Sequence, residues 1–191
     1  MEPRAVTLRV NGRTHDVALM PNTTLLEALR DLGYTDVKSG REKGDCGACA
    51  VLLDGVAVNS CLVLAWQAEG AEIVTNSGLG TIEKPHPIQE AFADTGAIQC
   101  GFCTSGMIVA TKALLDRAPD PTENEIREAL SGNLCRCTGY GQIVEAVRLA
   151  AARLRELGSS PSSRQSRAGR EDDPEDLLLA SDDVPKEGDD S

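Results

Sequence analysis

The chain has 191 residues, with 19 Lys+Arg against 30 Asp+Glu and a formal net charge of -11, a length suited to one or two small domains. Hydrophobic residues make up 41% but aromatics only 3%, so a core must be built from Leu, Val, Ile and Ala. There is no Lys/Arg-rich block to neutralise phosphates or lipid headgroups, and no apolar run of the ~18 residues a spanning helix needs, which sets aside nucleic acid and membrane as partners.

Residues 1–12 alternate charged with apolar side chains and hold no signal-peptide core, so the expected location is cytoplasmic. Val6-Thr7-Leu8-Arg9-Val10 alternates at period two, Asn11-Gly12 supplies a left-handed turn, and Arg13 to Val17 returns as a second strand. Asn22 or Thr23 is expected to cap a helix with Leu25, Leu26, Leu29 and Leu32 on one face, ended by Gly33. Tyr34 to Asp45 has no periodicity and runs into Cys46-Gly47-Ala48-Cys49. A second hairpin is expected from Ala50 to Asn59 around Asp54-Gly55, and Ala71 to Thr75 adds a strand.

Prolines at 85 and 87 separate a region in which every periodic stretch reads helical. Ile88, Ala91 and Phe92 form one stripe, and Met107, Ile108, Ala110, Leu114 and Leu115 a second. Thr122-Glu123-Asn124-Glu125 is a capping box opening a third helix with Ile126 and Leu130 inward, and Ile143, Val144, Val147, Leu154 and Leu157 mark a fourth. The fold class is therefore α+β: a strand-rich unit over 4–78, then a four-helix unit over 79–157. Residues 158–191 carry four Lys/Arg and ten Asp/Glu and read as a disordered acidic tail, with Leu177-Leu178-Leu179 as a short apolar run.

The chemistry lies in seven cysteines, an unusual load for a reducing compartment and one that favours metal binding over disulfides. Cys100-x2-Cys103 and Cys135-x-Cys137 each precede a helix and can fold back to converge four thiolates, as tetrahedral zinc or as an iron-sulfur cluster. In the strand-rich unit, Cys46-x2-Cys49 and Cys61 match three of the four ligand positions of a plant-type ferredoxin loop, with Gly40, Gly44 and Gly47 in support. The expected first cysteine falls on Arg41, whose guanidinium offers no free lone pair to iron. Ser39, Asp45 or a water is the expected oxygen substitute, or else the cluster is labile or missing.

Gly44-Asp45-Cys46-Gly47-Ala48-Cys49, Asn59-Ser60-Cys61, Gln99-Cys100-Gly101-Phe102-Cys103 and the stretch Gly132 to Tyr140 resemble the small iron-sulfur subunit of the molybdenum hydroxylases, the group of xanthine dehydrogenase, aldehyde oxidoreductase and aerobic carbon monoxide dehydrogenase. The resemblance covers about residues 4–157. It implies a β-grasp ferredoxin-like domain and a four-helix domain, each with a 2Fe-2S cluster, serving a molybdopterin-binding large subunit and an FAD-binding medium subunit. By that likeness Cys100, Cys103, Cys135 and Cys137 hold the cluster nearer molybdenum, Gln99 and Cys137 approach the pterin, and Cys46, Cys49 and Cys61 hold the cluster nearer flavin, weakened by Arg41. The expected role is electron transfer within an oxidoreductase, with no catalysis by the isolated chain. The rival reading is a zinc-thiolate module whose acidic tail recruits a partner. Trp66, His86, Lys38 and Lys43 are expected to be structural or solvated, His86 as a helix-start residue.

Overall fold

Asn11 and Gly12 adopt φ of 51° and 74° in the computed structural model, the double left-handed turn that matches the twist of a two-residue hairpin. It joins β1 (Arg4–Val10) to β2 (Arg13–Leu19) in the register Val6↔Val17, Leu8↔His15. The alternation puts Val6, Leu8 and Val10 inside. Asp54-Gly55 repeats the device between β3 (Ala50–Leu53) and β4 (Val56–Asn59). The structure describes residues 2–159; the expected tail lies outside them except for its first two residues, and so does Leu177 to Leu179.

A fifth strand, β5 (Glu72–Val74), completes the sheet in the order β2-β1-β5-β3-β4. Its pairing with β1 is parallel, the others antiparallel. Helix α1 (Leu25–Asp31) lays Leu25, Leu26 and Leu29 into the core with Leu8, Val10 and Ile73. Its cap is Thr24, one residue beyond the expected Asn22 or Thr23: Thr24 Oγ1 accepts from Glu27 N at 3.2 Å while the Glu27 carboxylate accepts from Thr24 N at 2.7 Å. The capping box decides the start because Glu27 stands three residues after Thr24 and not after its neighbours. Trp66 sits at the surface, donating from Nε1 to the Pro21 carbonyl at 3.1 Å, with the Arg4 guanidinium over its ring at 5.6 Å.

After the short α2 (Asn76–Leu79), four longer helices follow: α3 (Pro87–Asp94), α4 (Thr104–Arg117), α5 (Glu123–Ala129) and α6 (Gly141–Ser159). Their apolar stripes meet in a second core holding Ile88, Phe92, Met107, Ile126, Leu130, Ile143 and Val147. Leu157, expected on the α6 stripe, is 59% exposed because α6 outruns the core it packs on. A smaller cluster of Ala50, Leu52 and Val109 joins the sheet to α4, and the chain through Leu157 forms one compact unit. Among the described residues no helix is long and apolar enough to cross a membrane.

His86 does start a helix. Its Nδ1 accepts from Ile88 N at 3.2 Å, and its own N–H is taken by Gln89 Oε1 at 2.8 Å. Burial, then the Lys112 ammonium, pushes the imidazole pKa down against the smaller upward pull of Asp116 and Glu90. A depressed folded pKa means the unfolded chain binds the proton first, so this contribution is full above the unfolded value of about 6.5 and is lost as pH falls below it. The full chain should therefore lose denaturant midpoint between pH 7.5 and 5, and His86→Asn, which keeps a cap without a titrating group, should show a smaller loss. Equal losses in both would remove His86 as the source.

Candidate metal centre

Cys103 precedes α4, and Gly101 at φ 80° turns the chain so that Cys100 lies one turn before it. Thr104 N donates to Gly101 O at 3.3 Å and Met107 N to Cys103 O at 3.0 Å, tying the turn to the helix. Cys135 and Cys137 sit in the loop before α6. The two segments meet in pairs: Cys137 Sγ lies 3.6 Å from Cys100 Sγ, and Cys135 lies near enough to Cys103 for each thiol to shift the other's pKa. Among the described residues, no three His, Cys, Asp or Glu side chains gather around one point. Two thiols at each of two places is the donor arrangement of a two-iron cluster, whereas a structural zinc wants all four at one centre. On that ground the helical-side thiols fit a 2Fe-2S group.

Electrostatics separates the four. Burial pushes Cys103 up to about 12, with Cys135 and Cys100 adding to it. Burial also raises Cys135, but the Thr138 hydroxyl, 3.1 Å from its Sγ, and the backbone of Thr138 and Cys137 outweigh that and bring it down to about 7. Cys137 is raised, chiefly by its contact with Cys100. Thiols this close resist becoming four thiolates unless a positive centre stands among them, as iron would. Cys100 and Cys137 are exposed, as are Gln99, Ile98, Phe102 and Leu134 in the same two segments, so this pair opens to the surface beside apolar side chains.

The sheet-side thiols are deeper. Cys49, just before β3, and Cys61, in the 3-10 turn Ser60–Leu62, are 3% and 8% exposed, and Cys46 is half-buried. Ser60 binds the Cys49 carbonyl through both N (3.3 Å) and Oγ (2.8 Å), and Asn59 Nδ2 donates to Gly44 O at 3.0 Å. Burial, reinforced by Cys49 and Cys46 and opposed by a Gly44 backbone bond, pushes Cys61 up to about 11. Arg41 does not reach these sulfurs as a ligand would: its side chain is 61% exposed and its Nε pairs with Asp45 Oδ2 at 3.1 Å. Ser39 Oγ is bonded to Glu42. The oxygen substitutes expected from the sequence are thus engaged elsewhere, and three thiols alone do not fit a complete cluster. Lys38 donates to Thr35 O at 2.9 Å, and Lys43 is exposed.

Two residues with roles not expected from the sequence hold the thiol loops. Asn133, 6% exposed, donates from Nδ2 to Gly47 O at 3.1 Å, while Leu134 N donates to Cys46 O at 3.0 Å. These bonds clasp the loop of one cysteine group to the loop of the other. Tyr140 Oη accepts from Cys135 N at 2.8 Å and donates to Asn133 O at 2.9 Å, folding the Cys135–Cys137 segment over itself. The signal was present in the polar residues flanking the cysteines, but the partner of Asn133 lies in another part of the chain.

Comparison with known proteins gives two family matches, a 2Fe-2S iron-sulfur cluster binding domain over residues 8–77 and a [2Fe-2S] binding domain over residues 75–148. The chain is similar to the nicotinate dehydrogenase small FeS subunit of Eubacterium barkeri, with 48% identity across 80% of this chain and 98% of that one. It is similar to the xanthine dehydrogenase iron-sulfur-binding subunit of Escherichia coli O157:H7, with 47% identity across 76% and 93%. Among solved structures it matches one in quinoline 2-oxidoreductase from Pseudomonas putida 86, with TM-score 0.77 and 41% identity over 82% of this chain and 98% of the other.

Proposed function

The chain belongs to the small iron-sulfur subunits of the molybdenum hydroxylases, and from that premise we propose that it carries electrons from a molybdopterin-binding large subunit towards an FAD-binding medium subunit. The observation that carries the reading is the meeting of Cys100 with Cys137, and of Cys103 with Cys135, two thiols at each of two places. A 2Fe-2S cluster bound there supplies a one-electron centre. In this reading residues 4–78 are a β-grasp domain and 79–157 a four-helix domain.

The chain's own residues set how such a centre works. Cys135, already lowered by Thr138 and backbone N–H groups, is the thiol most ready to lose its proton when metal binds. Hydrogen bonds to sulfur and burial tune a cluster's potential, and Thr138 and the buried Cys103 supply one of each. Cys100, Cys137 and Gln99 are exposed, so the large subunit is the expected cover for this end, with Ile98, Phe102 and Leu134 as its apolar contacts. Gln99 is then the side chain proposed to hydrogen-bond the pterin, as its exposure allows. The reacting substrate would be chosen in the large subunit, which leaves this chain without bond-making chemistry of its own.

The test is purification of the full chain with its companions under anaerobic conditions. The expected result is red-brown protein with a reduced EPR signal, accompanied by two larger chains. Colourless protein containing zinc and no iron would overturn the proposal in favour of the zinc-thiolate reading.

A further inference from the structure

We infer that this chain holds one 2Fe-2S cluster, not two, because the Cys46, Cys49 and Cys61 pocket has no fourth ligand. The inference rests on the electron-transfer reading above. The chain passes the pocket at the place where a fourth sulfur is wanted: a Cβ built on Gly40 would lie 3.1 Å from Cys46 Sγ, so the backbone at residue 40 packs against that thiol. The next residue delivers a guanidinium. Arg41 remains protonated at any ordinary pH, has no free lone pair, and turns outward to Asp45.

The oxygen and imidazole donors weighed from the sequence are engaged elsewhere. Asp45 is held by Arg41 and Ser39 by Glu42. Asn59 bridges Gly44 O and Cys49 Sγ. His15 is bonded to Tyr34 at 2.9 Å, and His86 caps α3. The four remaining cysteines are the two pairs of the helical side. Three thiolates leave one iron short of its coordination.

The experiment is iron and acid-labile sulfide per full chain, with EPR after dithionite reduction, on anaerobically isolated complex. A single cluster gives about two irons, two sulfides and one reduced signal, and a second cluster gives about four and two signals. The expected result is the first. Arg41→Cys should raise iron to about four and add the second signal, and Cys46→Ser should leave the count at about two. About four irons in the unaltered chain, a loss of iron in Cys46→Ser, or no gain in Arg41→Cys would each overturn the inference while leaving electron transfer intact. A chain without iron would overturn the electron-transfer reading, and this inference with it.

Discussion

Gly106→Ala should destabilise the folded chain by at least about 3 kcal/mol, the upper end of what overpacking a filled site costs. Helix propensity alone gives the opposite sign, since Ala is favoured over Gly by about 1 kcal/mol inside a helix. The steric effect wins because of what the new methyl meets. A Cβ on Gly106 would stand 2.2 Å from the Gly47 carbonyl oxygen and 3.2 Å from Asn133 Nδ2. The first is backbone and cannot swing aside. α4 must draw back from the Cys46–Cys49 loop, loosening the bonds that Gly47 O and Cys46 O receive from Asn133 and Leu134. A fall in the denaturation midpoint, with faster loss of visible absorbance under a chelator, checks the prediction; a midpoint equal to or above that of the unaltered chain would refute the close approach. Gly47 is bound on the same side, since a Cβ there would stand 2.6 Å from Gly132 O and its φ is already 66°.

Tyr140→Phe should cost about 2 kcal/mol, within the range expected when a hydrogen-bonding group is removed and its partners are left unpaired. The ring would keep its packing against the helical core, so the change isolates the hydroxyl. Without it, Cys135 N and Asn133 O each lose a bond, of 2.8 and 2.9 Å. The Cys135 thiol would then be less fixed against Cys103. Faster bleaching by chelator, together with a lowered midpoint, is the expected pair of outcomes. A variant that bleaches and unfolds like the parent would show that the ring alone positions the loop.

Much of the fold was legible because its causes are local. Asn11-Gly12 and Asp54-Gly55 specify their hairpins within four residues, and the stripes on α3, α4 and α5 lie at helical spacing, with capping boxes beside those of α3 and α5. The α1 cap shifted by one residue because two polar candidates stood before Thr24 and only Thr24 has Glu27 at the right distance. The parallel pairing of β1 with β5 was not legible, since nothing near either strand encodes a partner some sixty residues away. The same holds at the metal centre. Cysteine spacing suggested two groups, but which thiol meets which depends on how the loop before α4 faces the loop before α6. Arg41 could be read as the missing ligand from the sequence; that Asp45 and Ser39 are occupied could be read only from the fold.

The clasp at Cys46 and Gly47 bears on how this protein can be handled in pieces. Their two carbonyls find donors in Leu134 and Asn133, so a fragment ending near residue 78 would leave both acceptors open beside its thiols. The complementary fragment would expose the bare flank of α4 at Gly106. Each half owns a hydrophobic centre, but expressing them separately asks each to seal a seam that was shaped by the other.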